Sequence, residues 1–331
     1  MGPRGTFDEG FVAPRNLVFR AVSGQMATPG PAGTGSKSPM LKGAGGDGKA
    51  KSPGVCGSAT FWNESAGIHV STYAPHGAKG GRLKHGSKCC VATKIVAKPG
   101  LPRGLWVINV HLVHDVQAER VKQLSKVLDW VGQYGGRSPV LLCGDFNANY
   151  GESDYAALRT MLGEYTRLHF DGHANHGARA CPITFPGKGT SLDFAFVRGI
   201  GGSVKVFDNQ TLSDHNGLVI DLDGGLRVLC FNAHFGTDIG SVAQPPTRYA
   251  NLISGTGYPG KGADIVCMQE LDFGKTCKRG AVDQARSIRT ELTRIPTRTR
   301  EVWKHVHFGV RRLKRTGMGQ YAEYEQEWML P

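Results

Sequence analysis

At 331 residues the chain is long enough to bury a substantial core, as one large domain or two small ones. Its formal net charge of +13 points to a polyanionic partner, nucleic acid or an anionic membrane surface, and no apolar run reaches membrane-spanning length. The eight cysteines lack paired metal-ligand spacing and the amino terminus lacks a signal-peptide core, so the expectation is reduced thiols in an intracellular protein, in the cytoplasm or the nucleus or nucleoid.

Residues 1–55 carry a short apolar patch at 11–22 and are otherwise rich in Gly, Pro, Ser and Lys. That composition cannot offset chain entropy by burial, so a flexible arm is expected, with the patch free to dock as a strand. Residues 56–331 are expected to form a single domain. Strands are predicted over 58–62, 67–73 and 88–97, and the run Leu-Trp-Val-Ile-Asn-Val-His-Leu at 105–112 reads as a buried strand carrying His111 near its end. A helix over 116–132 follows, with Val121, Leu124, Leu128 and Val131 on one face and Asp115 placed to cap it. The next strand, 138–147, ends in Gly-Asp-Phe-Asn and delivers Asp145 and Asn147. A strand, helix, strand unit implies a right-handed parallel crossover, which puts His111 and Asp145 on one sheet edge.

A short helix is predicted over 155–162 and a His/Gly loop over 172–179. Thr184-Phe-Pro then leads to a strand over 191–197 with Asp193 at its start. Residues 213–236 read as two strands joined by a Gly224-Gly225 turn, whose positive φ suits a tight hairpin. With Asp223 opposite Leu226, Gly217 would face Asn232 and His215 would face His234. Leu218, Ile220, Leu229 and Phe231 would share one face, and Val219, Val228 and Cys230 the other. Asp214, His215, Asn232 and His234 gather at the end away from the turn. The unit then repeats: a strand to Asn232, a helix over 248–253, and a buried strand over 263–270 ending in Glu270. A basic amphipathic helix over 281–295 and a strand over 302–310 follow. Residues 275–315 hold 13 Lys and Arg against three acidic residues.

Asn232, Glu270, His111, Asp145, Asn147, Asp193, Asp214 and His215 thus collect at one edge, and the set suits phosphoryl chemistry. Oxygen ligands from Glu270, with Asp145 or Asp214, can hold Mg²⁺ or Mn²⁺ against a substrate phosphate. His215, oriented by Asp193, can act as general base on a water. His111 can donate to the phosphate or leaving oxygen, and Asn147 and Asn232 to developing charge. Each motif alone has a plain structural explanation; so many inward polar groups at one edge would be costly without a task. His234, His114 and the loop residues His169, His173 and His176 are given no role.

The segments Leu-Cys-Phe-Asn-Ala-His, Val-Cys-Met-Gln-Glu, Val-Ile-Asn-Val-His-Leu, Gly-Asp-Phe-Asn, Ser-Leu-Asp-Phe-Ala-Phe-Val and Ser-Asp-His resemble the endonuclease/exonuclease/phosphatase superfamily of deoxyribonuclease-like phosphoesterases. The resemblance covers 56 to about 310 and implies an α/β fold, a two-sheet β-sandwich flanked by helices in four αββα layers. It makes Glu270 the metal carboxylate and Asp214 a second one on the metal side. Asp145 and Asn147 line the reacting phosphate, and Asp193 supports His215. The motif order departs from the family's, in which the Asn and Gln-Glu strands come first and Ser-Asp-His last. Here they follow it, so the chain looks circularly permuted, with Gly224-Gly225 joining the family's usual ends.

The expected activity is Mg²⁺- or Mn²⁺-dependent phosphodiester hydrolysis. Nucleic acid is the favoured substrate because of the charge, with Arg279, Arg286, Arg289, Arg311 and Arg312 as candidate phosphate contacts. A phosphatase or phospholipid phosphoesterase is the alternative within enzymes, and an inactive binding module of the same fold the alternative outside them.

Overall fold

The structure is a computed structural model describing residues 55–75, 90–97, 100–101, 104–114, 116–168, 181–209, 211–238, 240, 242–255, 262–272, 284–295 and 303–311. Contacts divide the chain at residue 50, and every described residue lies in the unit Lys51–Pro331. The apolar patch at 11–22, the 172–179 loop, Asp115, Arg279 and Arg312 fall outside the described residues.

In chain order the elements are β1 (Val55–Asn63), β2 (His69–Pro75), β3 (Cys90–Ala97), β4 (Leu105–His111), α1 (Gln117–Tyr134), β5 (Val140–Asp145), α2 (Ser153–Met161), β6 (Thr166–Arg167), β7 (Asp193–Arg198) and β8 (Gly202–Phe207). There follow β9 (Gly217–Leu222), β10 (Leu226–Asn232), α3 (Pro246–Ser254), β11 (Ile265–Asp272), α4 (Gln284–Leu292) and β12 (Trp303–Arg311). They form two six-stranded sheets, ordered β12-β1-β11-β10-β9-β8 and β2-β3-β4-β5-β7-β6. Each holds one parallel pair near its middle, β10 with β11 and β4 with β5, and each pair is joined by a helix, α3 or α1. All other pairings are antiparallel.

Burial explains the layers. Leu105, Val107, Leu141 and Cys143 of one sheet meet Leu218, Ile220, Val228, Cys230 and Cys267 of the other in a dry core between them. The outer face of the first-named sheet is covered by Tyr249 and Ile253 of α3 and Ile288 and Leu292 of α4. Leu124, Val127 and Val131 of α1 and Leu158 of α2 cover the other. The result is the expected four-layer α/β sandwich, with β4 and β5 buried along their whole length, as parallel strands covered on both sides must be. Among the described residues no helix is long and apolar enough to cross a membrane.

Three local features differ from or go beyond the sequence reading, the first as a correction. The β9/β10 hairpin pairs Leu226 with Leu222 and Cys230 with Leu218, so its loop is three residues, Asp223 to Gly225. Both glycines have positive φ, 86° and 73°, as the turn signal requires, but the register is one residue away from the expected one. A one-residue slip exchanges faces, so Leu218 and Ile220 share the inter-sheet core with Val228 and Cys230. Leu229 and Phe231 join Val219 on the other side, under α3. Second, the residue before α1 is Val116, which makes no side-chain cap bond; the expected cap, Asp115, lies outside the described residues. The preceding loop is held instead from inside the helix: Gln123 accepts from the Val113 N–H at 2.8 Å, and Arg120 donates to the His114 carbonyl at 2.7 Å. Third, β8 was not anticipated; it is an edge strand beside β9.

One side chain ties the sheets together through the apolar interior. Asn109 of β4, fully buried, donates to the carbonyls of Ala59 and Met268 at 2.9 and 3.1 Å and accepts from Gln269 Nε2 at 2.6 Å. All three partners belong to the opposite sheet, where the β1/β11 ladder shifts register between Gly57 and Ala59. A bulge leaves ladder carbonyls without their strand partners, and Asn109 supplies the missing donors. Asn109→Ala would strand these groups in a dry core, and we expect a loss of about 2–4 kcal/mol of unfolding free energy by urea denaturation. A loss below about 0.5 kcal/mol would show that the bonds are dispensable.

Candidate active site at the strand ends

The two parallel pairs end at the same side of the sandwich. His111 lies opposite Asp145 at the end of β4 and β5, and Asn232 opposite Gln269 at the end of β10 and of its parallel pairing with β11. The sheets face each other, so the four ends converge. Asn232 Nδ2 donates across the sheets to Asp145 Oδ2 at 3.0 Å. His111 Nε2 stands 3.3 Å from Glu270 Oε1 and 3.4 Å from Asp145 Oδ2.

Local backbone shape aims these groups. Gly144 precedes Asp145 with φ 144°, and a Cβ there would collide with the Val110 carbonyl, so only glycine lets β5 close against β4 at this point. Asn147 takes φ 50°, and its backbone N–H donates to Asp145 Oδ1 at 2.8 Å. Its side-chain amide donates to the Leu112 carbonyl at 2.8 Å, so Asn147 holds Asp145 in place and is itself braced. Glu270 sits at the β11 bulge with φ 54°, which turns it out of the ladder towards His111. The four non-glycine residues with positive φ among those described are Asn147, His234, Phe235 and Glu270, all beside this edge. Such conformations cost about 1–3 kcal/mol each and persist where the surroundings over-determine them.

Asp193 starts β7 opposite Asp145, and its Oδ2 meets His215 Nδ1 at 2.9 Å. Thr184 Oγ1 accepts from the Asp193 N–H at 3.0 Å and from Leu192 at 2.9 Å. The Ser213 hydroxyl accepts from the His215 N–H at 3.1 Å and donates to the Asn232 carbonyl at 2.6 Å, which locks Ser-Asp-His onto the end of β10. The Phe185 ring lies 4.8 Å from the imidazole of His215. Burial pulls the His215 pKa down, but the charges of Asp193, Asp145 and Asp214 and the bond to Asp193 outweigh it and raise it to about 10. With Nδ1–H assigned to Asp193 by this network, Nε2 is the atom left for proton transfer.

The carboxylates expected to hold a cation divide. One atom each from Asp145, Asp193 and His215 lie within 4.8 Å of one another. Glu270 reaches this group through His111, whereas Asp214 turns the other way, its Oδ1 3.7 Å from His234 Nδ1. His234 therefore meets Asp214 and not His215, a consequence of the corrected register. Asp193 Oδ1 is buried without a hydrogen-bond partner among the described residues. Such a cluster of carboxylate oxygens could hold a divalent cation, with Asp145 and Glu270 offering oxygens to it while His215 Nδ1 is committed to Asp193.

Of the basic candidates, Arg286 is exposed and Arg289 half-buried on α4, while the backbone of Arg311 ends β12. The first residue of α4, Gln284, donates Nε2 to the Phe235 carbonyl at 2.9 Å, which ties the basic helix to the edge of the site. Reading by sequence missed the bracing roles of Thr184, Ser213 and Asn109 and the pairing of His234. Thr184 and Ser213 lie inside the Thr-Phe-Pro and Ser-Asp-His segments, yet which hydroxyl bonds which N–H depends on turn geometry that residue order does not encode.

No curated protein sequence matches the chain. Similar solved structures include the endonuclease/exonuclease/phosphatase from Bacteroides vulgatus, at 17% identity and TM-score 0.36 over 47% of this chain and 66% of that one. Another is the Bacteroides thetaiotaomicron mannosyl-6-phosphatase Bt3783, at 16% identity and TM-score 0.36 over 47% and 67%. A third is a humanized D. rerio TDP2, at 14% identity and TM-score 0.38 over 49% and 75%. Residues 29–215, more than half of the chain, match the Endonuclease/Exonuclease/phosphatase family. The chain belongs to that family of metal-dependent phosphoesterases.

Proposed function

We propose that the protein is a Mg²⁺- or Mn²⁺-dependent phosphodiesterase that cleaves nucleic acid by in-line attack of water, without a covalent intermediate. The observation that carries this reading is the His215–Asp193 pair beside Asp145, with Asn232 and His111 on the same carboxylate. His215 Nε2 takes the proton of the attacking water as its oxygen bonds to phosphorus, and Asp193 steadies the imidazolium that forms. The bond from phosphorus to the leaving oxygen breaks, and His111 donates to that oxygen or to the phosphate. Asn232 offers hydrogen bonding to the charge developing on the phosphoryl oxygens, and Asn147 keeps Asp145 aligned. Asp145 and Glu270 would hold a divalent cation, which would supply positive charge to polarise the phosphate and offset the field that keeps the proton on His215.

Nucleic acid is favoured over a lipid or sugar phosphate by the +13 charge, much of it in residues 275–315, and by α4 adjoining the site through Gln284. We also propose that the strand order is a circular permutation of the family's. In support, the family match ends at His215, and the strands bearing Asn232 and Glu270 follow it.

His215→Ala and Glu270→Ala should each lower hydrolysis of DNA and RNA oligonucleotides with Mg²⁺ or Mn²⁺ by about 10²–10⁴-fold, with unchanged circular dichroism. Full activity in either variant would sink the site assignment, and turnover confined to phosphomonoesters or lipids would replace the nuclease reading. A second check follows from the raised pKa of His215. The ion pair with Asp193 contributes its full stability below the ordinary value of 6.5 and loses it as pH rises through about 10. Measured by denaturant in EDTA, the stability gap between the wild type and Asp193→Asn should be largest below pH 6.5 and shrink towards pH 10. A gap that widened would contradict the pairing. For the permutation, a chain opened between Gly224 and Gly225, with residues 331 and 56 joined by a Gly/Ser linker, should fold and retain activity. Failure across several linker lengths would overturn the proposal.

A further inference from the structure

We propose that His234 is a substrate-positioning residue that binds a phosphate neighbouring the scissile one, on the side of the site that leads to α4. The inference rests on the nuclease reading above and names a group that reading does not use.

After Asn232 the chain enters a 3-10 turn, His234–Gly236, in which His234 and Phe235 take left-handed φ of 42° and 57°. The turn is held at both ends. The His234 N–H donates to Asn232 Oδ1 at 2.9 Å, while the other end of that same amide bonds Asp145. On the far side the Phe235 carbonyl accepts from Gln284, and Gly236 packs so closely on Gln284 that a Cβ there would collide with it. Two successive left-handed non-glycine residues clamped between the centre and a basic helix form a fixed platform for one side chain.

The hydrogen-bond network assigns the imidazole tautomer. The Thr237 hydroxyl has one hydrogen and donates it to the His234 carbonyl at 2.8 Å. Its oxygen, 3.0 Å from His234 Nδ1, is therefore an acceptor, and Asp214 Oδ1 lies 3.7 Å from the same nitrogen. Nδ1 carries a hydrogen turned into the protein, and Nε2 has no partner among the described residues. The His234 side chain keeps 26% of its exposure, against 8% for His215. Like His215, the imidazole is held through Nδ1, here by the Thr237 hydroxyl, but in a more open position next to the helix that bears exposed Arg286. A single phosphate needs only the centre. A strand with phosphates in series, leaving the centre on the side of α4, meets a further donor at His234.

The test compares His234→Ala, His234→Asn and His234→Gln, with thermal melts to confirm folding. Gln reaches the position of Nε2, whereas Asn reaches only that of Nδ1. On a DNA or RNA oligonucleotide, Ala and Asn should raise KM about tenfold and leave kcat within about twofold, with Gln recovering most of the loss. On bis(p-nitrophenyl) phosphate, which has no second phosphate, kcat/KM should change less than about threefold. The oligonucleotide Kd, read by fluorescence anisotropy in a His215→Ala background, should rise in parallel with KM. Equal losses on both substrates, a fall in kcat at constant KM, or no difference between Gln and Asn would overturn the inference alone. If Ala does not fold, the Gln and Asn pair decides. A wild-type chain that binds no oligonucleotide overturns the nuclease reading instead, and this inference with it.

Discussion

The bond from Asn232 to Asp145 crosses from one sheet to the other, and the rest of the site depends on it. Between the sheets the core is apolar and dry, so a polar group can enter it only with its partners in place. Asp145 enters with both oxygens engaged: Oδ1 by the Asn147 N–H, Oδ2 by Asn232, with His111 beside the latter. Asn232 in turn is held at its carbonyl by Ser213 and at its amide oxygen by His234. One cross-sheet contact thereby fixes Ser-Asp-His, and through it His215, relative to the end of β5. Asn109 does the same job deeper in the sandwich, bonding into the bulge from which Glu270 emerges. The two amides set the separation of the sheets at the point where the functional groups meet.

Backbone strain follows from this arrangement. An ordinary strand end would carry Glu270 and Asn147 along the strand axis or onto a sheet face. Both take positive φ instead, and each is secured by a bond network that a regular ladder could not supply. The stability lost at these positions is covered by burial elsewhere: a fully buried Leu, Ile or Phe contributes about 1.5–3 kcal/mol, and three apolar clusters line the two sheets. The site can be strained because the scaffold beneath it is closely packed.

How much of this was legible in the sequence differs by level. Apolar runs such as 105–111 and 140–145 gave the buried strands, and the strand, helix, strand order gave the parallel pairs and the shared edge, because periodicity and crossover handedness are local or topological facts. The register of β9 with β10 was not legible. Gly224-Gly225 signals a turn but not its length, and the extra loop residue exchanged the faces of Leu218 and Leu229. The edge strand β8 has only Val204 and Phe207 buried, too little pattern to stand out. The pairing of His234 with Asp214 depends on that same register and on two left-handed residues, neither visible in residue order.

The charge distribution completes the argument. The centre gathers Asp145, Asp193 and Glu270 around His111 and His215, and the charges of Asp193, Asp145 and the nearby Asp214 raise the His215 pKa to about 10. A phosphate would be repelled from such a centre, and a neutral general base would be unavailable there. On the proposed reading both difficulties have one remedy, a small multivalent cation that Asp145 and Glu270 would hold. Of the described basic side chains in residues 275–315, Arg286 and Arg289 stand on α4 and Arg294 just after it, not among the strand ends. On the proposed reading the two charges divide the work: the surface cations hold the flanking phosphates, and the cation at the centre makes room for the one that reacts.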